Sequence, residues 1–488
     1  MNPLRKLFKQ TFVYGIATVL PRVLSFLLLP LYTGILKEAS GYGEYINIYS
    51  WIAFFNVLLA YGMETAFFRF YHKEEKPGDV ISTSLSSLLG STLIFGLLGY
   101  VFLEPISTLT GIRLSFLEFT LAILLLDALV IIPFALIRAK EQPIRYAFLK
   151  TLNVALNFGL NLFFLLGLPY WVQESPCSVW VSLYREDFQI QYILISNVAA
   201  STFTLLLLFP TYLKNKMAFV GSLWRKMMRY ALPVMIAGIA FTVNEVFDKI
   251  LLTRMVSEEE AGIYGACYKL ALFMTLYGTA FRMGVEPFFF SHAKKENPQA
   301  TYAQITHYFI LLGSVILLTV VVVLPVLADL FIQNPIYHKA LDVVPIVLLA
   351  SLCLGVYHNL SVWYKITDRT YFGALISSIG AAITLAINIS FIPIYGFWAS
   401  ALATLLAYGS MMSLSYLFGR RYYPVPYRLG RSLFYMGLSF GLAALSYYYF
   451  EASFVYGAVL LFVFLGVIIL MEYKSLKGLF TRDHSNHQ

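Results

Sequence analysis

The chain has 488 residues, of which 59% are hydrophobic, 17% aromatic and only 12% charged. That composition lies far outside soluble averages and makes lipid the solvent, with no room for a sizeable soluble domain. The net charge of +9 follows from membrane topology, as counted below, so nucleic acid is not called for as a partner.

Crossing the hydrocarbon takes about 20 apolar residues per helix. Runs of that kind predict an all-α integral membrane protein of about fourteen spans, at residues 11–33, 45–67, 81–103, 116–137, 148–168, 190–212, 230–252, 263–285, 303–327, 343–364, 372–392, 397–418, 432–450 and 455–472. The first run is expected to stay in the mature protein, being too long for a signal peptide, carrying Arg22 in its middle and lacking a small-residue cleavage site. Basic residues mark the loops that stay in the cytoplasm. Of 35 Lys and Arg, 26 fall on the side bearing the N-terminus, Lys37, Arg113, Arg185, Arg254 and Lys339 fall on the other, and Arg22, Lys249, Lys269 and Arg282 lie within spans. Both termini are therefore expected to be cytoplasmic.

Many secondary transporters are built from two related halves. A shift of 220 residues sets Thr33 on Thr253, Met63 on Met283, Phe68 on Phe288, Phe70 on Phe290 and His72 on His292. A shift of 227 sets Glu141 on Asp368, Ala147 on Ala374, Asn161 on Asn388 and Phe164 on Phe391. Spans 1–6 and 7–12 thus read as two six-helix lobes of the same orientation, related by a pseudo-two-fold axis along the membrane normal. The expected division is residues 1–212, a basic cytoplasmic linker at 213–229, a second lobe at 230–419, and spans 13 and 14 with a cytoplasmic tail at 420–488. The longest outer loop, residues 169–189, carries Trp171, Trp180 and Tyr184, as an interfacial aromatic belt or a sugar-contacting lid. Cys267 and Cys353 fall in spans and only Cys177 in an outer loop, so no disulfide framework is expected. The histidines are too scattered for a metal site, and no cofactor is expected.

An ionisable side chain inside a span costs about 2.5–3.5 kcal/mol on insertion scales, which makes each one a functional hypothesis. Arg22 and Asp127 lie near mid-span, Glu245 in the outer half of span 7. Glu64, Arg282 and Glu286 lie toward the cytoplasmic ends, and Asp248, Lys249 and Lys269 toward the outer ends. Arg22 is the sharpest candidate: its guanidinium stays charged and its fork matches phosphate oxygens. It follows Pro21, and a proline that bends a span is tolerated where the helix lines a cavity. The alternative is a structural ion pair with Asp127. In span 7, Asn244 shares helix surface with Asp248, and Glu245 with Lys249. That face is either a cation or proton site titrating at Glu245 or an intrahelical ion pair. Asn153, Asn157 and Asn161 make one polar stripe in span 5, with Asn388 as counterpart in span 11. Such amides suit sugar hydroxyls or interhelical hydrogen bonds. The candidate substrate contacts are therefore Arg22, Lys269, Arg282, Asn153, Asn157, Asn161 and Asn388. The ion-coupling candidates are Asp127, Glu245, Asp248 and Glu64.

No phosphate-binding Gly-x-x-x-x-Gly-Lys-Ser/Thr loop occurs, so ATP hydrolysis is not expected. A membrane glycan polymerase or ligase would be expected to carry its site in a large outer loop, and no loop exceeds about two dozen residues. A non-enzymatic transporter is the better reading.

The stretch Asn388-Ile-Ser-Phe-Ile-Pro393-Ile-Tyr-Gly396-Phe-Trp-Ala399-Ser-Ala401-Leu-Ala-Thr404 resembles the span 11–12 hairpin of polysaccharide exporters, with Ala399 where a second Gly is common. Thr33 with Gly41-Tyr-Gly43-Glu-Tyr45, and Asp248-Lys249 followed by Gly262-Ile-Tyr264-Gly-Ala, extend the likeness over nearly the whole chain. The family is the polysaccharide transporter, or Wzx-type O-antigen flippase, family of the multidrug/oligosaccharidyl-lipid/polysaccharide (MOP) exporter superfamily. The resemblance implies an inverted-V transporter in the cytoplasmic (inner) membrane. It would carry an undecaprenyl-pyrophosphate-linked oligosaccharide to the outer leaflet by alternating access, for cell-surface polysaccharide biosynthesis. Its implied partners are that lipid-linked oligosaccharide, membrane lipid and other membrane proteins of polysaccharide assembly, with Na⁺, H⁺ or the membrane potential alone as open alternatives for the driving force. Cation-coupled multidrug antiporters and the peptidoglycan-precursor flippase are the competing readings. Many antiporters have twelve spans, so fourteen favours a lipid-linked exporter, but does not separate it from the peptidoglycan-precursor flippase.

Overall fold

The computed structural model describes residue 15 and residues 19–174, 180–292 and 298–482. Among them the chain forms fourteen successive long helical segments and no strand. In chain order these are α1 (Val19–Ile35), α2 (Ala39–Tyr71), α3 (Pro77–Val101), α4 (Leu114–Ala139), α5 (Pro143–Glu174), α6 (Gln189–Lys214) and α7 (Gly221–Met255). They continue with α8 (Glu258–Leu270 and Leu272–His292), α9 (Pro298–Val322), α10 (Pro335–Ile366), α11 (Tyr371–Tyr395), α12 (Phe397–Tyr422), α13 (Leu429–Ala444) and α14 (Phe454–Arg482). Eleven of them are long and apolar enough to cross a membrane by themselves. The others are α1, whose described part is short, α8, interrupted at Ala271, and α13, which runs into a π-helical turn at Leu445–Tyr449. The chain is an all-α, multi-pass membrane protein.

Helix α7 starts well inside the stretch expected to link the lobes. Leu223 and Met227, four residues apart, are buried, while Arg225, Lys226 and Arg229 are exposed. That one-sided pattern is what an amphipathic helix requires, and Trp224 Nε1 fastens it to α3 by donating to Ser87 Oγ at 2.8 Å.

The packing repeats between the two halves. In the first, α4 packs on α3 and α6, and α6 on α5; in the second, α10 packs on α9 and α12, and α12 on α11. Each of these three second-half pairs is its first-half counterpart displaced by six helices, as two related six-helix units require. Matched positions also bond alike. Thr33 Oγ1 donates to Leu29 O and Thr253 Oγ1 to Lys249 O, each at 2.9 Å. Asn161 Nδ2 donates to Asn157 O and Asn388 Nδ2 to Thr384 O, each at 2.8 Å. Helices α13 and α14 stand outside the repeat against α9.

The lobes are joined mainly by α2, which packs along both α7 and the first segment of α8. Where α2 and α8 begin, their backbones nearly touch. A Cβ on Gly43 would stand 1.7 Å from Glu258 O, and one on Gly262 would stand 2.0 Å from Ala39 O. Small residues permit such an approach between membrane helices. Hydrogen bonds tighten the same end of the molecule. Tyr337 Oη donates to Leu36 O at 3.0 Å, Asn334 Nδ2 to Lys37 O at 2.8 Å, and Gln333 N to Thr33 Oγ1 at 3.1 Å. Toward the opposite end α2 is re-aimed at Tyr61 and Gly62, both with positive φ. There its second segment packs on α3, α4 and α7, while the second segment of α8 packs on α9 and α10.

Candidate substrate-binding cavity

Helices α1, α7, α8, α10 and α12 enclose a cavity of about 540 Å³. All three predicted basic contacts, Arg22 from α1 and Lys269 and Arg282 from α8, line it together, with Glu245 from α7 as its one carboxylate among the described lining residues. Arg22 Nη1 donates to Thr279 Oγ1 at 2.8 Å, bridging the first helix to α8. No carboxylate lies within ion-pairing distance of Arg22 or Arg282 among the described residues. Lys269 Nζ stands over the rings of Tyr42 and Tyr45 of α2 at 5.4 and 5.3 Å, where cation–π attraction holds it without neutralising it. Glu245 Oε1 accepts from Tyr408 Oη at 2.7 Å. The cavity thus carries an excess of positive charge, with hydroxyls of Ser25, Thr275, Ser351 and Tyr408 on its wall.

The polar face of α7 divides in two. Asp248 and Lys249 pair at 3.0 Å, Tyr264 Oη donates to Asp248 Oδ2 at 2.9 Å, and Lys249 also donates to the main-chain oxygen of Glu245 at 3.1 Å. Lys249 therefore engages its sequence neighbour rather than the Glu245 side chain, which is left to the cavity. Both members of the pair are buried. Lys249→Ala is expected to cost about 3–5 kcal/mol, because an uncompensated carboxylate stays behind, whereas the double change Asp248→Asn with Lys249→Met should recover most of the loss. Thermal unfolding midpoints of the purified variants measure this, and an unchanged midpoint in the single variant would refute it.

The other candidates lie elsewhere. Asp127 accepts from Asn56 Nδ2 at 3.3 Å and Ser201 Oγ at 3.1 Å inside the first lobe and is not paired with Arg22. Glu64 bridges to Arg138 at 2.8 Å, both side chains more than 40% exposed. Asn153 Nδ2 donates to Thr204 Oγ1 at 2.9 Å, Asn157 Oδ1 accepts from Asn161 Nδ2 at 2.8 Å, and Asn161 Oδ1 accepts from Tyr32 Oη at 2.9 Å. The asparagine stripe ties α5 to α6 and α1, and Asn388 is fully buried against its own helix. Cys177 and the side chain of Glu286 lie outside the described residues. Conversely, Thr279, His358 and Tyr408 line the cavity without having been singled out as site residues. For Thr279 a signal existed: Thr275, Thr279 and Arg282 fall at helical spacing on one face of α8.

A family model described as Polysaccharide biosynthesis protein matches residues 7–292, more than half of the chain. The chain belongs to that family. A second model, MatE, matches residues 233–394, and together they assign the chain to the MOP exporter superfamily, polysaccharide-transporter type. No curated protein matches it. Among solved structures, a lipid II flippase, MurJ, in an inward closed conformation aligns with TM-score 0.73 at 14% identity, over 94% of this chain and 99% of that one. An inward-facing multidrug resistance MATE family transporter aligns with TM-score 0.63 at 12% identity, over 83% and 94%. The MATE multidrug transporter DinF-BH gives 0.61 at 12%, over 87% and 97%. At these identities the likeness is one of fold.

Proposed function

We propose that this transporter is a flippase that carries a lipid-linked, undecaprenyl-pyrophosphate oligosaccharide from the cytoplasmic to the outer leaflet of the inner membrane by alternating access. The observation that supports the reading is the meeting of Arg22, Lys269 and Arg282 on one membrane-embedded cavity against Glu245, its one carboxylate among the described residues. A pyrophosphate needs cationic hydrogen-bond donors, and the guanidinium fork supplies them bidentately. The sugar needs hydroxyls, which the cavity wall also presents. In this reading the lobes are residues 1–212 and 230–419, both termini are cytoplasmic, and the tight contact of α2 with α8 closes the outer end. The cavity then faces the side on which the substrate is made. Outward movement of one negative charge gains about 2.3 kcal/mol per 100 mV with the inside negative, so the membrane potential can assist without a coupling ion.

A cation-coupled multidrug antiporter is the second reading, favoured by the Glu245–Tyr408 pair inside the cavity and by the MatE match over the second lobe. Expression in cells lacking their own polysaccharide flippase separates the two. Restored surface glycan without added resistance to cationic dyes is the expected result; dye resistance without glycan would overturn the flippase assignment.

A further inference from the structure

A second, apolar cavity of about 290 Å³ lies between α9, α10, α12 and α13, apart from the cationic one. Ile310, Val356, Met412 and Met436 form its interior, and Leu417 and Leu433, 58% and 57% exposed, frame its opening on the lipid-facing surface. Arg428, just before α13, lines both this cavity and a surface groove that it shares with Arg431, Leu470 and Tyr473. The Arg428 guanidinium has no ion pair among the described residues, whereas Arg431 shares its charge with Glu472 at 3.3 Å.

The walls are held in place before anything binds. Glu472 Oε1, almost fully buried, gathers His307 Nε2 of α9 at 3.1 Å and Tyr435 Oη of α13 at 3.1 Å. Thr306, 3% exposed, lines the cavity with a hydroxyl that has no hydrogen-bond partner among the described residues. A buried hydroxyl left without a partner is unfavourable, so its place on a mainly apolar cavity points to a ligand with a polar atom there.

Arg428 stands just before α13, and His307, next to Thr306, reaches Ser432 Oγ of α13 at 3.5 Å, one helical turn beyond Arg428. The order of groups is therefore a cation, then the Thr306 hydroxyl about a turn further along, with Ile310, Val356, Met412 and Met436 as the apolar interior. We propose that this is a binding site for an anionic glycerophospholipid. Its phosphate lies on Arg428, an ester oxygen meets Thr306, and one acyl chain fills the cavity. A polyprenyl phosphate has no carboxylic ester below its phosphate and would leave Thr306 unsatisfied, so the occupant is a resident membrane lipid rather than the cargo, and the proposal stands apart from the transported substrate. Such a lipid would wedge α13, which lies outside the repeat, against the second lobe.

The test uses the purified, delipidated full chain in detergent, with binding of dioleoylphosphatidylglycerol, dioleoylphosphatidylcholine, inorganic phosphate and undecaprenyl phosphate read by native mass spectrometry. Phosphatidylglycerol should bind about fivefold tighter than phosphatidylcholine, as one surface cation on an anionic headgroup warrants. Arg428→Gln should erase that preference, and Met436→Trp, which fills the cavity, should remove the bound phosphatidylglycerol. A single symmetric gel-filtration peak and a thermal unfolding midpoint near the parent's confirm that either purified variant is folded. Equal binding of the two phospholipids, or a preference that survives Arg428→Gln, overturns the proposal. So does phosphate binding as tightly as phosphatidylglycerol, which would mark an anion site only. Undecaprenyl phosphate displacing phosphatidylglycerol at equal concentration would make it a cargo site and overturns it too.

Discussion

Gly43→Val is expected to abolish export of surface glycan while the protein remains inserted in the membrane. A Cβ at position 43 would stand 1.7 Å from Glu258 O, roughly 1.6 Å inside an ordinary C···O contact of about 3.3 Å. Glu258 O is backbone, so no side-chain rotation relieves the clash and the starts of α2 and α8 must separate. Separation strains the cluster beside it, in which Tyr337, Asn334 and Gln333 bond to the backbone and side chains of residues 33–38. An alternating-access transporter that cannot close one end cannot complete its cycle. Gly262→Val should do the same, because its Cβ would meet Ala39 O at 2.0 Å. Gly90→Val in α3 is the control: it also places a β-branched residue in a helix, but no described atom beyond its own stretch of helix lies within 4 Å of its Cβ, and export should persist. Glycan export at wild-type level in Gly43→Val would show that this contact is not a gate.

Arg22→Ala is expected to remove export, and Arg22→Lys to weaken it. The lysine keeps the charge but loses the fork that can hold a phosphate and Thr279 at once. A hydrogen bond to a charged group is worth about 1.5–3 kcal/mol, so the lysine variant should retain between about a tenth and a hundredth of wild-type export if one such bond is lost. Arg22 has no carboxylate partner to strand among the described residues, so the alanine variant should unfold at nearly the wild-type temperature. Glu245→Gln keeps the hydrogen bond to Tyr408 possible and removes only the negative charge; on the flippase reading it leaves export largely intact. Surface glycan and dye resistance, scored in one strain, check all three. Export that survives Arg22→Ala but fails in Glu245→Gln would reverse the assignment and favour cation coupling.

The contrast between α7 and α5 shows how far linear spacing reaches. Spacing alone put Glu245 and Lys249 on one helix face, and they are neighbours there, yet Lys249 turns to Asp248 because Tyr264 of α8 already holds that carboxylate in place. The tyrosine arrives from another helix, and nothing local announces it. The asparagines of α5 keep their four-residue rhythm, but Tyr32 and Thr204 from neighbouring helices take up two of their amides. Whether such a stripe faces a sugar or a helix depends on which helices stand beside it.

What the amino-acid order determined by itself is whatever the bilayer enforces residue by residue. Apolar runs of about 20 residues mark each crossing, loop charge implies an orientation, and a charge buried in a span must have a reason to be there. Those rules act locally, so they were enough for about fourteen helices and for marking Arg22, Lys269 and Arg282 as charges within spans; the six-helix repeat was read separately, from residues matching at shifts of 220 and 227. The tertiary structure decided what depends on partners far apart in the chain. It brought residues 22, 269 and 282 to one cavity, joined Gly43 to Glu258, and left Arg428 and Thr306 facing the same apolar space. The physical reason is that packing and charge pairing are set by distances between helices, and a sequence carries those distances only through the fold it adopts.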